Sequence, residues 1–176
     1  MRRGVCDAVS FLLAQGRRRI AVFETFDERD GYVHCRLEGV RDAFARFGVE
    51  STPELIRRTP LAVNAGYGEM KQLLREGVEF DAVFGGYDLS CFGIMRALKE
   101  AGIRVPEEVA VIGSDDLPQC REQVPPLATV RYPMHEMGGT MCRLLAEAIR
   151  NPAASPESRE LKCEFIIRES AGKAIV

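Results

Sequence analysis

The chain has 176 residues, 46% of them hydrophobic, and a formal net charge of −2. That length and apolar content suit one domain with its own core, and the nearly balanced charge argues against a surface built to bind nucleic acid or an anionic membrane. No stretch approaches the roughly 20 apolar residues of a membrane span. Asp7, Ser10 and Gln15 interrupt the first apolar segment, so we predict no export signal. We therefore expect a soluble, cytoplasmic chain with no membrane partner.

The first third of the chain is predicted to fold as helix, strand and helix. Apolar residues at helical spacing indicate the first helix: Val5, Val9, Leu12 and Leu13. Gly16 suits the end of this helix, and the following segment "RRIAVFE" is typical of a buried strand. After the polar loop "TFDERDG", a second helical stripe runs to Gly48: Leu37, Val40, Phe44 and Phe47.

The middle of the chain continues this alternation after an irregular interval. The segment "VESTPELIRRTPLAVNAG" contains two prolines, and we expect little regular structure in it. The pattern then predicts a helix near "YGEMKQLLREG", a strand "DAVFGG", a helix "DLSCFGIMRALKEAG" and a strand "EVAVIGS". Apolar strands without alternation, separated by helices, are typical of a parallel sheet with helices on both faces. The predicted fold class is therefore α/β.

Polar residues follow the predicted strands at their carboxyl ends, where open sheets of this class bind ligands. Residues 24–29 follow the first strand, Tyr87 and Asp88 follow the second, and residues 114–116 follow the third. We expect these residues to line one crevice together with the nearby Arg36.

The adjacent acids Asp115 and Asp116 allow more than one interpretation. As a general acid and base they would have to approach one reacting centre from two sides, which adjacent residues seldom do. The sequence also lacks a nucleophile elbow, a P-loop and a glycine-rich dinucleotide motif, so we predict that the chain is not an enzyme. Two capping acids that touch no ligand are a second alternative.

Six cysteines are spread along the chain without a C-x-x-C pair. They favour buried free thiols in a reducing compartment over disulfides or a zinc site. His34 and Cys35 are the one local hint of a ligand pair, but adjacent helical residues point about 100° apart and chelate one ion poorly. We predict no metal and no cofactor.

Four segments resemble, in order and at similar spacing, the effector-binding domain of LacI/GalR-family bacterial transcription regulators: "FLLAQGRRRIAVF", "CRLEGVRDAFARFGVE", "FDAVFGGYDLSCFGIMRALKEAGIRVPEEVAVIGSDD" and "PPLATVRYPMHEMGG". The resemblance implies the type I periplasmic-binding-protein fold, with two α/β lobes and a cleft between them. The match begins only at the second lobe, so the resemblance identifies this chain as the C-terminal portion of such a domain. Residues 1–132 would form that lobe, and residues 151–176 would contain a strand that returns to it.

Residues 133–150 would form a crossover helix that packs on the first lobe in family members. Six apolar residues make a stripe on this helix: Met134, Met137, Met141, Leu144, Leu145 and Ala148. An uncovered stripe favours association. We expect the helix either to dock onto another copy or to leave its family position.

The resemblance assigns four candidate ligand contacts: Arg36, Tyr87, Asp115 and Met134. Arg36 stands in the family's R-L-x-G motif, where a guanidinium donates to effector oxygens, and a solvated helix arginine is the alternative. Asp115 matches the first acid of the G-x-D-D element, whose carboxylate accepts hydrogen bonds from sugar hydroxyls. Tyr87 replaces a cleft-facing asparagine of the family. Asp88 and Asp116 are assigned structural roles as caps.

The function implied by the resemblance is effector sensing. A sugar, polyol or nucleoside would bind in the cleft and control, through a homodimer, DNA binding by an N-terminal helix-turn-helix that is absent from this chain. The helix around Cys91 and Met95 would carry the dimer contact, and a plain core helix is the alternative. A sugar-binding component of a transport system and a truncated sensor that does not bind DNA are the alternative functions.

Overall fold

The computed structural model describes residues 1–25, 31–152 and 157–173, without the side chain of Tyr32. Its helices are α1 (Arg2–Ala14), α2 (Gly31–Phe47), α3 (Val63–Glu76), α4 (Asp88–Glu100) and α5 (Met134–Arg150). Its strands are β1 (Ile20–Glu24), β2 (Ile56–Arg58), β3 (Ala82–Gly85), β4 (Ala110–Asp115), β5 (Ala128–Arg131) and β6 (Glu164–Ile166). Residues 26–29, which we grouped with the first strand end, lie outside the described ranges.

The strands form one sheet in the order β2-β1-β3-β4-β5-β6. The first five strands are parallel, and β6 runs antiparallel to β5 with Val130 opposite Phe165. Helices α1 and α2 pack together on one face, and α3 and α4 pack together on the other. The α/β class with a parallel sheet covered on both faces is confirmed.

Each face of the sheet has its own apolar core because successive residues of a strand point to opposite faces. Phe84 and Ile112 belong to the cluster under α1 and α2, whereas Phe23 and Val111 belong to the cluster under α3 and α4. All four side chains are buried. The strands are therefore apolar on both sides, as the unbroken hydrophobic runs indicated.

The interval between α2 and α3 is more regular than its prolines indicate. Residues 56–58 form β2, where Ile56 pairs with Val22 of β1, and α3 begins at Val63. The expectation of little regular structure is wrong here. An edge strand of three residues, two of them arginines, is half solvated and carries no apolar run that would predict it.

The two helices on the second face approach each other closely through glycine. A Cβ atom at Gly66 of α3 would overlap the backbone of Ser90, and one at Gly93 of α4 would overlap the carbonyl of Val63. The α3–α4 contact therefore brings the two backbones together in a way that no larger residue permits.

The C-terminal segment returns to the sheet. Ser170 accepts a hydrogen bond from the backbone N–H of Ala128 at 2.8 Å and donates one to the carbonyl of Val111 at 2.6 Å. The ring of Phe165 in β6 meets that of Phe11 in α1 edge to face, with centroids 5.3 Å apart. These contacts hold the last described residues against the sheet and α1. The division into a second lobe at residues 1–132, a crossover helix and a C-terminal segment stays a prediction.

Helix α5 differs from the other helices in having no buried residue. Its apolar residues Met134, Met141, Leu145 and Ile149 are between 63% and 70% exposed. The stripe predicted for this helix is present. No helix or strand of the described chain packs against it closely enough to bury any of its residues.

Candidate functional site

A cavity of about 530 Å³ opens at the carboxyl edge of the sheet, between the strand ends and α5. Its volume lies within the range of small-molecule sites. All four candidate ligand contacts, Arg36, Tyr87, Asp115 and Met134, line it. The structure thus brings together residues from α2, the end of β3, the end of β4 and the start of α5. Their role as ligand contacts stays a prediction.

Arg36 is held from behind by Glu24, the last residue of β1. The guanidinium makes a bidentate pair with this carboxylate, with Nε to Oε2 at 2.7 Å and Nη2 to Oε1 at 2.9 Å. The side chains are 3% and 0% exposed. Burial disfavours the charged guanidinium, but the hydrogen bonds and charge of Glu24 outweigh it and raise the pKa of Arg36. Arg36 is therefore a fixed cation and not the solvated helix residue of the alternative interpretation.

The ring of Tyr87 covers one face of the same guanidinium. The central carbon of Arg36 lies 4.4 Å from the ring centroid, a cation–π distance. Tyr87 directly precedes α4 and has an extended backbone. The aromatic side chain therefore shares the cavity wall with Arg36 and holds it in place.

Asp115 occupies the end of β4 in an unusual backbone conformation. Its φ is 124°, and that of Asp116 is 57°, a region that non-glycine residues rarely adopt. Backbone strain of this kind is concentrated at functional sites. Burial raises the pKa of Asp115 to about 7, with a further rise from the nearby Asp88 carboxylate and opposition from Arg36. Among the described residues, its carboxyl group accepts a hydrogen bond from the backbone N–H of Asp88 and forms no ion pair.

Asp116 is not a helix cap. Its carboxylate accepts hydrogen bonds from Nε of Arg131 at 2.7 Å and from Nη2 of Arg168 at 2.5 Å. Burial alone would raise its pKa, but the two arginines lower it. The cap prediction is wrong because Asp116 joins β5 to the C-terminal segment, and two arginines far away in sequence occupy both oxygens.

Asp88 also has a structural role different from the predicted N-cap of α4. Its fully buried carboxylate accepts from the hydroxyl of Thr129 at 2.7 Å, the backbone N–H of Leu117 at 2.9 Å and the thiol of Cys120 at 3.0 Å. No side chain caps the start of α4, where Asp88 is already the first helical residue. Burial raises the pKa of Asp88, and the three hydrogen bonds oppose that rise. Asp88 therefore connects α4 to β5 and to the segment after β4.

Two hydroxyl groups lie near the cavity, of which that of Ser114 belongs to the strand end predicted from the sequence and that of Tyr132 was not predicted. Tyr132 lines the cavity, and Ser114 precedes Asp115 in β4. The Oη of Tyr132 and the Oγ of Ser114 are buried, and they lie near each other and near Arg36 without a well-aligned hydrogen bond to the described residues. Burial raises the pKa of Tyr132 to about 12, so this phenol is neutral. Tyr132 could have been predicted in the same way as Tyr87 and Asp115, because it directly follows the carboxyl end of strand β5.

The opposite wall of the cavity is apolar. Met137, Met141 and Leu144 of α5 line it together with Met134. The stripe that is exposed on the outside of the chain thus continues into the cavity. A ligand in this space would meet hydrogen-bonding groups at the sheet and methionine side chains at the helix, an arrangement suited to a molecule with one polar and one apolar face.

Within the described part of the chain, no three His, Cys, Asp or Glu side chains are grouped so as to hold a metal ion. The six cysteines are unpaired. Cys91 and Cys120 are buried as expected for core thiols, whereas Cys35 and Cys142 are exposed, which corrects the expectation for those two. In the same described ranges, no helix is both long enough and apolar enough to cross a bilayer.

Comparison with known proteins matches residues 9–171 to the periplasmic binding protein-like domain. The HTH-type transcriptional regulator CelR of Thermobifida fusca is 34% identical over 163 residues, covering 93% of this chain and 48% of the regulator. A structure of a LacI-family regulator from Sanguibacter keddieii superposes with a TM-score of 0.89 at 30% identity, covering 98% of this chain and 65% of that one. A complex of the regulator CelR with cellobiose gives a TM-score of 0.87 at 33% identity, covering 95% and 51% of the two chains.

The chain spans about half the length of the curated relatives it matches. These relatives are transcriptional regulators. The similarity covers the sheet, the strand ends and α5, so it includes every residue that lines the cavity between Arg36 and Cys163.

Proposed function

The chain belongs to the periplasmic binding protein-like domain family, and we propose that it is the effector-binding portion of a LacI/GalR-type regulator whose cavity senses a small polyhydroxylated molecule. A sugar, a polyol or a nucleoside has the required chemistry. The proposal is carried by the convergence of Arg36, Tyr87, Asp115 and Met134 on one cavity of about 530 Å³. The same region matches a regulator seen in complex with cellobiose, which supports a sugar in particular.

The polar side of the cavity supplies both donors and acceptors. Asp115 lines the cavity without an ion-pair partner among the described residues, and its carboxyl group has acceptor positions left for ligand hydroxyls. Glu24 leaves Nη1 of Arg36 unoccupied, and this part of the guanidinium, next to the Tyr132 hydroxyl, would donate to a ligand oxygen. The ring of Tyr87 and the side chain of Met134 would pack against the C–H face of the ligand.

Regulation would use parts of the protein beyond this cavity. We place the protein in the cytoplasm as a homodimer in which ligand binding favours one of two arrangements, and a helix-turn-helix segment of the whole regulator would bind operator DNA in only one of them. The expected dimer element is α4, whose Leu89 and Phe92 are only half-buried. The relatives are regulators and not enzymes, which supports a sensing role without catalysis.

The test is a thermal-shift screen of the full-length gene product against monosaccharides, disaccharides, polyols and nucleosides, followed by calorimetric titration of each hit. We expect at least one neutral polyhydroxylated compound to raise the melting temperature. Asp115→Ala should weaken its binding about tenfold or more, because the ligand loses the carboxyl group that its hydroxyls would bind.

Asp7→Ala is the matched control, since Asp7 is exposed on α1 and does not line the cavity. Equal loss of affinity in the two variants would contradict the assigned site. If no compound of these classes bound, the sensing proposal itself would be wrong.

A further inference from the structure

We propose that Glu24 makes the cavity selective for uncharged ligands by neutralising Arg36 from behind, so that phosphate esters and carboxylates are excluded. This inference rests on the proposed function in taking the cavity as the effector site. It adds the charge class of the effector and a positioning residue, Glu24, that does not itself line the cavity.

The pair between Glu24 and Arg36 is a built arrangement. Gly86, which follows β3, leaves the space for the carboxylate, because a Cβ atom there would overlap the oxygens of Glu24. The backbone N–H of Thr25 donates to Oε1 of the same carboxylate at 3.0 Å. Tyr87 closes the other side of the guanidinium. Arg36 is thus clamped, and it cannot swing toward an anion elsewhere in the cavity without breaking a buried ion pair.

Charge neutralisation is the main consequence of this clamp. An arginine that lines a cavity without a counter-ion is a strong site for phosphate or carboxylate. Here one buried carboxylate already takes two of the guanidinium nitrogens, so the pair as a whole is neutral. A second anion at Arg36 would lie close to Glu24 in a region of low dielectric, where like charges repel strongly.

The remaining charges around the cavity also oppose an anion. Asp115 and Glu160 line it, and neither is ion-paired with any of the described residues. Arg159 is the other arginine in the lining, and it is exposed and paired with Glu157 at 2.6 Å. An incoming phosphate would therefore meet two carboxyl groups, and both arginines of the described lining already have a carboxylate partner.

The remaining polar groups of this wall suit a neutral ligand. The hydroxyl of Tyr132 lies near Ser114 and Arg36, but Oη of Tyr132 and Oγ of Ser114 make no well-aligned hydrogen bond to the described residues. Buried polar groups of this kind find partners in most structures, so a ligand oxygen is the natural partner for the hydroxyl that lines the cavity. Alcohol groups of a sugar or polyol can donate to and accept from such hydroxyls.

The test compares phosphate binding by the full-length gene product and its Glu24→Gln variant. Glutamine keeps the shape of the side chain and can still accept one hydrogen bond from Arg36, but it leaves the guanidinium charge uncompensated. Inorganic phosphate and ribose 5-phosphate are titrated by calorimetry at constant ionic strength. We expect no detectable binding to the wild type, and a gain of about tenfold or more in affinity for Glu24→Gln.

Glu160→Gln is the matched control, because it removes one negative charge from the cavity wall without touching Arg36. It should not create a phosphate site. An equal gain in both variants, or phosphate binding by the wild type that is lost in Arg36→Gln, would overturn the role of Glu24.

If Glu24→Gln folds poorly, its melting temperature in phosphate is compared with that in chloride at the same ionic strength. Specific stabilisation by phosphate supports the proposal, and equal melting temperatures contradict it. A failure of all neutral sugars to bind would refute the proposed function, whereas the phosphate response of Glu24→Gln judges the role of Glu24 separately.

Discussion

Helices α1 and α5 are both amphipathic, yet their apolar faces have opposite environments. On α1, Val5, Val9 and Leu12 are completely buried against the sheet and α2. On α5, Met134 is 66% exposed and Leu145 63% exposed. The difference shows that helices α1 to α4 are enough to cover the apolar cores on the two faces of the sheet. The apolar stripe of α5 is therefore available for the cavity and for whatever covers this face in the whole protein.

A matched pair of leucine truncations should show the largest difference between the apolar faces of α1 and α5. Leu12→Ala in α1 should lower the free energy of unfolding by about 2–5 kcal/mol, because the lost side chain is fully buried and leaves a cavity. Leu145→Ala in α5 should change it by about 0.5 kcal/mol or less in the 176-residue chain. Urea denaturation followed by circular dichroism measures both. A cost for Leu145→Ala close to that for Leu12→Ala would show that α5 is packed after all.

A pair of glycine substitutions tests the same contrast through the backbone. Gly93→Ala should destabilise the chain by about 1–3 kcal/mol, since a methyl group there forces α3 and α4 apart. Gly138→Ala in α5 meets no atom within 4 Å and should be neutral or stabilise by about 0.5–1 kcal/mol through higher helix propensity. Thermal unfolding of the two variants under one set of conditions decides the point. Loss of stability in Gly138→Ala would mean that this helix face is in contact with something.

The cavity between these two regions should give a smaller effect that depends on pH. The pKa of Asp115 in the fold is about 7, above its value of about 3.9 in an unfolded chain, so the native state favours the protonated acid. The stability this contributes is present at low pH and is lost as the pH rises from about 4 to about 7.

Asp115→Asn, which stays neutral, should be more stable than the wild type at pH 8 by about 1 kcal/mol, and the difference should vanish near pH 4. The gain in stability is smaller than the full pKa difference implies, because the carboxyl group is partly solvated. Unfolding curves across this pH range provide the measurement. Asp7→Asn, on the exposed side of α1, should show no such change, and a similar pH profile for both variants would refute the assignment to Asp115.

Sequence patterns predicted most of the elements for a simple reason. A parallel sheet buried on both faces needs apolar runs, and its helices need apolar stripes, so both leave a periodic record in the chain. Strand β2 shows no such periodic pattern, because it forms by pairing with β1 and not through the apolar character of its own residues. The two cap assignments failed for a related reason. Asp88 and Asp116 are held by partners such as Thr129 and Arg168, which lie far away in sequence.

The α/β class and the amphipathic character of α5 could be predicted from the sequence, because both depend on local periodicity. The strand ends near which Arg36, Tyr87 and Asp115 gather could also be predicted, because the carboxyl ends of parallel strands lie at one edge of a sheet. Other features are visible only in the tertiary structure: Glu24 pairs with Arg36, Asp116 has two arginine partners whereas Asp115 has no ion pair among the described residues, and α5 has no buried residue. Those features depend on which distant side chains meet in three dimensions, and ion pairs between distant residues have no sequence period.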